Sequence, residues 1–452
     1  MAVWSVLDSG ELARRGRLDA EYFQPRYLEY ERMIERLTYV TLGSVGLVTD
    51  GIHSSPDVVE ENGVRYLSAK CVKDNDFSIG AALQISPKQD ANNTRTRLRQ
   101  GDVLLTTVGT IGNAAVVPTE LLPANIDRHL GLIRLRPDAP IDAFFIATFL
   151  NTTFGRFQSL REATGNVQLN LFIEKIKMLK VPKLSIAPEI SATTKNAYNL
   201  RQKAVNLVSS AEVLLLESLG LSHMEGSPSL FYEKEYCDLL NAHRFDAEYF
   251  SPRYQRALEV LARNGRCIGT VANLSERRFR PETLKSADTF QYIEIGSIRS
   301  DGLADSETVK LSEAPSRAQW VVEPDDIITS TVRPIRQLSA LITPEQSGYV
   351  CSSGFAVLRP KHGAEGVEPE VLLTFLRLPI VCEILDLHTT ASMYPAIATT
   401  RLMGIPFAVP KQSVRDEVVF RVRKALAARG EADRLLEKAK AEVERLVIGG
   451  RK

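Results

Sequence analysis

The chain is short of the features that mark most function classes. No apolar run approaches the roughly 18 residues of a membrane span, and the opening MAVWSVLDSGELARR has no signal-peptide core. No membrane partner and a cytoplasmic location are therefore expected. Five cysteines (Cys71, Cys237, Cys267, Cys351, Cys382) lie scattered without a C-x-x-C pair. That pattern argues against a zinc site or a disulfide frame and for reduced, buried thiols. The six histidines are dispersed, and no acidic cluster of metal-nuclease type can be assembled. No G-x-G-x-x-G opens a helix, and no Asn/Asp-Pro-Pro-aromatic element occurs. No catalytic residue, bound cofactor or metal is expected. The 56 Lys and Arg against 55 Asp and Glu leave a net charge of +1. That balance speaks against a sequence-blind coat for a polyanion, but it leaves room for locally basic loops. What remains is a globular chain of 452 residues, 44% hydrophobic, long enough for two or three domains.

The chain does contain an eleven-residue phrase written twice. RLDAEYFQPRY begins at Arg17 and RFDAEYFSPRY at Arg244, an offset of 244 − 17 = 227 residues. Nine of the eleven positions agree; Leu18 becomes Phe245 and Gln24 becomes Ser251. The offset is too long for a solenoid unit and suits a duplicated domain. The mixture of aromatic and charged residues suits a helix-flanking anchor. Because both copies share it, it cannot tell two targets apart, so it is framework or a surface offered to two like partners.

A helical stretch is expected near residues 28–37, followed by the loop DGIHSSP with His53, Ser54 and Ser55. VRYLSAKCV (64–72) alternates as a strand does, with Lys70 near its end. In TRTRLRQ (94–100), Arg95, Arg97 and Arg99 stand two apart, which on a strand would set all three on one face. GDVLLTTVGTIGNAAVV (101–117) reads as two apolar strands around a glycine turn whose tip carries Thr110 and Asn113. Arg128 and His129 precede the strand LGLIRLR, and apolar residues 141–150 read as a helix that 154–161 continue. ATGNVQLNL (163–171) supplies Thr164, Asn166, Gln168 and Asn170; amides suit bidentate pairing with adenine, and equally suit ordinary loop hydrogen bonds.

Residues 189–219 contain no Pro or Gly, and Ala197, Leu200, Ala204, Leu207, Ala211 and Leu214 recur at coiled-coil spacing. Near the C-terminus Val418, Val422, Ala425, Arg429, Ala432, Leu436, Ala439, Val443 and Leu446 do the same, with Gly430 a local weak point. Two seams of one period most simply pair with each other. The second half repeats the first beyond the phrase: QYIEIGSI answers YLSAK, DDIITSTVRPI answers GDVLLTTVGTI, and LLTFL answers IATFL. The loops differ. DGIHSSP becomes SERRFRP with Arg277, Arg278 and Arg280; GTIGN becomes RPIRQ with Arg333 and Arg336; ATGNVQ becomes TTASMY with Thr389, Thr390 and Tyr394.

RLDAEYF, DGIHSSP…VRYLSAK, GDVLLTTVGTIGNAAVV, ATGNVQLNL…IKMLKVPKL and the step into APEISATTKNAYNLRQKAVNLV together resemble the specificity subunit of Type I restriction–modification systems. The resemblance covers nearly the whole chain and is strongest in the first copy. It implies an α+β fold with two tandem β-rich target-recognition domains with flanking helices, separated by two long antiparallel coiled-coil spacer helices in pseudo-twofold arrangement. The expected layout is a first recognition domain at 1–184, a central spacer at 185–222, a linker at 223–240, a second recognition domain at 241–410 and a C-terminal spacer at 411–448. The implied partners are double-stranded DNA with a bipartite site, two methyltransferase subunits that carry the S-adenosylmethionine, and nuclease/translocase subunits where the system restricts. The expected DNA contacts are His53, Ser54, Ser55, Lys70, Arg95, Arg97, Thr110, Asn113, Arg128, His129, Thr164, Asn166 and Gln168 in the first copy, and Arg277, Arg278, Arg280, Arg333, Arg336, Thr389, Thr390 and Tyr394 in the second. A methylation-only or other phage-defence complex, and a coiled-coil protein-binding adaptor, are the competing readings.

Overall fold

The repeat found in the sequence is a repeat of secondary-structure elements. The structure, a computed structural model, describes residues 5–7, 9–79, 82–165, 168–222, 231–283, 288–363, 366–390 and 394–450. The chain separates into two compact units, Met1–Arg201 with Arg429–Lys452, and Gln202–Ala428. The divisions fall inside the two long helices.

In the first unit helix α1 (Ser9–Arg15) ends on Gly16 in the left-handed region, and Pro25 starts α2 (Pro25–Glu35). Proline suits a first helical position, where its missing N–H has no partner to lose. Strands β1 (Gly46–Asp50), β2 (Val64–Leu67), β3 (Leu83–Ile85), β4 (Val103–Thr106), β5 (Ala114–Val116), β6 (Ala124–Ile126) and β7 (Leu130–Leu135) form two sheets ordered β1-β7-β4-β5 and β3-β2-β6. Helices α3 (Ala143–Asn151) and α4 (Thr153–Glu162) cover the first sheet's apolar face, and Phe145, Phe149 and Phe154 are fully buried there. Thr152 separates the two helices: its hydroxyl caps α4 by accepting from the Gly155 N–H, so 154–161 begin a new helix instead of continuing the first. The long helix α5 (Ala187–Ser218) begins in this unit.

The second unit repeats the plan. α6 (Tyr236–Ala242) ends on His243, again left-handed, and α7 (Pro252–Ala262) again starts on proline. Strands β8 (Ala272–Leu274), β9 (Thr289–Ile293), β10 (Glu307–Lys310), β11 (Ala318–Val321), β12 (Ile327–Ser330), β13 (Ser339–Leu341), β14 (Val350–Ser352) and β15 (Phe355–Pro360) order as β8-β15-β12-β13 and β10-β9-β14-β11. The parallel pair β2/β6 returns as β9/β14, and the edge strand β11 is added to that sheet. α8 (Pro369–Arg377) and α9 (Pro379–Leu387) take the places of α3 and α4. Even an ion pair is copied: Arg134 grips Asp102 with two hydrogen bonds of 2.8 and 2.6 Å, and Arg359 grips Asp326 at 2.7 and 2.8 Å.

Helix α10 (Gln412–Gly449) runs unbroken through Gly430. In the first unit Ile190 shares a core with Ala439, Val443 and Val447, and Ala197 with Ala432 and Leu436. In the second, Ala211 and Leu215 meet Val418 and Val422, and the Ser210 carbonyl accepts from Arg421 at 2.8 Å. In the first unit rising numbers on α5 meet falling numbers on α10, so the helices run antiparallel there. One expectation needs correction. Ala197, Ala204 and Ala211 are buried on α5 as expected, but the positions buried between and after them are Arg201, Val208 and Leu215, in place of Leu200, Leu207 and Leu214. Those leucines sit half-buried on the flank, and Leu214 packs against the second unit's core. The seam therefore has a buried arginine on each helix. Arg201 bonds Asp433 at 2.7 Å, Arg429 bonds Asp76 at 2.8 Å, and Arg201 also donates to the Asn75 carbonyl at 2.9 Å. The β-hairpin carrying Asp74 and Asp76 is thus tied to both helices, with Lys440 on Asp74 at 2.8 Å.

Of the cysteines, Cys71, Cys351 and Cys382 are buried as expected, while Cys237 is exposed. Among the described residues no helix is long and apolar enough to cross a membrane, and no cluster of His, Cys, Asp or Glu is arranged to hold a metal ion.

Candidate nucleic-acid interface

In the first unit four segments far apart in sequence meet around one groove of about 410 Å³. The end of β1 brings Asp50 and His53, the segment after β4 brings Thr107 and Val108, the β6–β7 loop brings Arg128 and His129, and the amide segment brings Gln168 to Ile173. Gly51 makes the approach possible, because a Cβ there would lie 2.2 Å from the Asp127 carbonyl oxygen. Backbone bonds close the ring: Thr107 N–H donates to the His129 carbonyl at 3.1 Å, and Leu171 N–H to the Thr107 carbonyl at 2.9 Å. His53 rests on Asp50 at 2.6 Å and His129 on Asp127 at 3.1 Å, while Arg128 is exposed above them. Arg95 joins this rim by bonding the Thr49 hydroxyl and lying 3.7 Å from Asp50. The groove thus combines cations, an exposed amide and exposed apolar side chains (Leu169 and Phe172), the mixture that can contact phosphate, base edge and thymine methyl.

The sequence alone located the loop of Asp50 and His53 as well as Arg128, His129 and Gln168, but not Thr107 or Phe172. The exposed Phe172, directly after the amide run, was the readable signal. Thr164 is held beside the groove by a backbone bridge to Asn170, and Thr110 is exposed at the hairpin tip. Asn166 lies outside the described residues. Ser54 and Ser55 are exposed but tied to Gln89, through the Ser54 hydroxyl at 3.2 Å and the Ser55 carbonyl at 2.9 Å. Lys70 is exposed on a 3₁₀ turn after β2.

Two expectations fail. Residues 94–100 are not a strand: Thr94–Thr96 form a 3₁₀ turn. The cause is a buried network in which the Thr96 hydroxyl donates to Asn125 at 2.6 Å and the Asn125 amide donates to Asp90 at 3.0 Å. Arg97 then pairs with Asp90, Arg95 turns to Thr49, and no shared arginine face exists. Asn113 is not an exposed tip residue. It is buried, its amide donates to the Val72 carbonyl at 3.3 Å, and its N–H bonds the Thr106 hydroxyl at 2.9 Å.

The second unit keeps the backbone of this groove and changes its side chains. Thr331 N–H donates to the Gly354 carbonyl at 2.8 Å and Ile397 N–H to the Thr331 carbonyl at 2.9 Å, the same two bonds as before. The bridge Val108–Asn170 returns as Val332–Ala396. Through this match Arg128 and His129 correspond to Ser353 and Gly354, and Gln168 to Tyr394. The cations reappear on the hairpin tip. Arg333 and Gln337 hold left-handed backbone (φ 49° and 58°) where the first unit uses Gly109 and Gly112 (φ 74° and 92°). A non-glycine residue in that region costs about 1–2 kcal/mol, so these side chains are retained against a conformational penalty. The Arg333 N–H bonds the Pro395 carbonyl at 2.9 Å, which sets the tip beside Tyr394 (69% exposed) and the short strand of Thr389 and Thr390. Arg336 is exposed on the tip. Arg277 and Arg278 lie elsewhere, along β11, where Arg277 pairs with Glu323 and Arg278 covers the Trp320 ring at 5.6 Å. Arg280 is exposed on the same connection.

No family model matches the sequence, and no curated protein matches it. Solved structures similar to the chain include S subunits of restriction–modification systems. The subunit from M. genitalium has 13% identity and a TM-score of 0.37, covering 92% of this chain and 96% of its own. HsdS from Thermoanaerobacter tengcongensis has 16% identity and a TM-score of 0.27, covering 91% and 95%. A structure solved for complex assembly and conformational transition of the type I R-M system gives 16%, 0.27, 91% and 96%. At such values the functional reading rests on this chain's own residues.

Proposed function

We propose that the chain is a non-catalytic DNA-reading subunit of the Type I specificity kind, each module reading one half of a bipartite site. The observation that carries this is the contrast between a copied scaffold and exchanged tips: strand order, groove backbone and the Asp102–Arg134 pair are repeated, while the cations move from the groove to the hairpin tip. A duplicated enzyme would keep its chemistry in both copies, and a coiled-coil adaptor has no use for diversified tips. Phosphate contacts position each module and base-edge contacts select the half-site, each good bidentate pair contributing roughly 1–3 kcal/mol of discrimination. Methylation is supplied by partner methyltransferase subunits that bring S-adenosylmethionine, and cleavage by a nuclease/translocase subunit where one joins.

The test is to exchange residues 40–180 for the matching segment of another such chain and sequence the methylated motif in cells. One half of the motif should change and the other stay. Change or loss of both halves would overturn the reading of two independent modules.

A further inference from the structure

The repeated phrase contains identities that its own fold does not require. Most are accounted for by internal contacts. Arg17 bonds both oxygens of Asp19 at 2.8 and 2.7 Å and lies 4.4 Å from the Tyr22 ring centre; Arg244 does the same to Asp246 at 2.7 and 2.6 Å and to Tyr249 at 4.4 Å. Tyr22 and Phe23 meet edge-on at 5.0 Å, as do Tyr249 and Phe250 at 5.0 Å. Pro25 and Pro252 start helices, and Arg26 and Arg253 lie beside Tyr27 and Tyr254.

Three positions are left over. Leu18 is 85% exposed and Phe245 is 69% exposed, so an apolar side chain is presented at the same place in both units although its identity differs. Ala20 and Glu21 are exposed, and so are Ala247 and Glu248. Among the described residues no hydrogen bond or ion pair holds the carboxylates of Glu21 and Glu248. Two copies whose compared loop tips have diverged keep an exposed apolar-x-Ala-Glu surface on the same braced turn.

We infer that this turn is a docking knob, one per module, for two copies of a single partner protein that offers an apolar socket rimmed by lysine or arginine. The argument is equivalence: a partner that meets both modules in the same way would retain the same exposed Ala and Glu, with an apolar side chain beside them, in both. The charge requirement follows from Glu21 and Glu248, since the Asp19 and Asp246 charges are already met by Arg17 and Arg244. DNA is excluded as occupant because the free charge is negative. This rests on the proposed function, which makes the methyltransferase subunit the partner present twice.

The test purifies the tagged full chain from its own cells, identifies the bound subunits by peptide mass spectrometry and counts them by native mass spectrometry. Wild type should carry two methyltransferase subunits, Leu18→Glu one, Phe245→Glu one, and the double variant none. Glu21→Arg and Glu248→Arg should each weaken capture of one copy at least tenfold. Because these side chains are exposed, unchanged circular dichroism and unchanged DNA affinity of the isolated variants report an intact fold. Two copies retained by the double variant, or both lost from a single one, would overturn the knob while leaving the DNA-reading assignment standing. A wild-type chain that captures no methyltransferase subunit would overturn the functional reading and the knob with it.

Discussion

Replacing Glu31 with glutamine should loosen the first unit at neutral pH and remove much of its response to acid. Glu31 on α2 is the hub of an ion network. Arg15 donates to both its oxygens at 3.0 and 2.7 Å, Arg161 reaches it at 2.7 Å, and Lys180 at 2.9 Å. Burial by itself would raise its carboxyl; the three cations outweigh burial and hold it at about 2, against an ordinary 4.5. A carboxylate with a depressed value adds stability that is fully present above pH 4.5 and is lost as pH falls through 4.5 toward 2. A shift of that size corresponds to about 3 kcal/mol, roughly a few hundredfold in an opening equilibrium. The substitution also leaves Arg161, only 6% exposed, facing two other cations. The other copy serves as control, because Leu258 stands at the Glu31 position and packs against an apolar core. Peptide-resolved hydrogen exchange, corrected for intrinsic rates, is the assay. Glu31→Gln should lower protection around α2 and α4 by tenfold or more at pH 7 and leave α7 and α9 unchanged. A loss under threefold, or an equal loss in both units, would refute the reasoning.

The second unit should respond to acid in a different window. Burial, with Arg244 and Arg401, pushes His388 down to about 4, so the unfolded chain takes up a proton first and stability falls as pH drops from 6.5 toward 4. His388→Gln should flatten that dependence in exchange measurements of α9. Arg128→Ala should weaken DNA binding by roughly 10- to 100-fold and lower the salt slope by about 1, measured by titration at several salt concentrations, with preference relaxed in one half-site only. Asn113→Ala should cost about 1–2 kcal/mol in urea denaturation through the orphaned Val72 carbonyl, and should leave the methylated motif unchanged.

The duplication was legible from the phrase alone because Arg17, Asp19, Tyr22 and Phe23 are fixed by contacts within a few residues of one another. The hairpin of β4 and β5 was legible for the same reason, since its strands neighbour in sequence. Residues 94–100 misled because alternating arginines look like a strand face, whereas their conformation is set by Asn125, some 30 positions away. Asn113 misled because the segment's polarity suggests an outward tip, and only the nonlocal contact with Val72 turns it inward. On α5 the alanines of the seam were legible, but the positions alternating with them were misplaced by one residue, at Arg201 because leucine was preferred to arginine at a buried site. Arg201 is buried there because Asp433 and the hairpin of Asp76 satisfy it, partners that a period of 3 and 4 cannot reveal.

The two copies have solved one packing problem in different chemistry, which bears on how their tips diverge. Where the first unit binds α2 to α4 through Glu31 and Arg161, the second has Leu258 and Leu387 at the same positions. At the end of α3, Asn151 bonds the β5 backbone, its oxygen accepting from the Ala114 N–H at 3.1 Å. At the matching place on α8, Arg377 donates to the Ser339 carbonyl on β13 at 3.4 Å and pairs with Glu212 of α5 at 2.8 Å. Ion networks and apolar contacts of similar volume are close in net stability, so such exchanges drift freely once the backbone is held. The groove is different. There the backbone bonds are identical, yet Arg128 and His129 correspond to Ser353 and Gly354, while glycines of the first tip correspond to Arg333 and Gln337 in a penalised conformation. Drift among equivalent packings does not place arginine in a left-handed turn. A requirement on the side chain does, and it differs between the modules: cations at the groove in one, at the tip in the other.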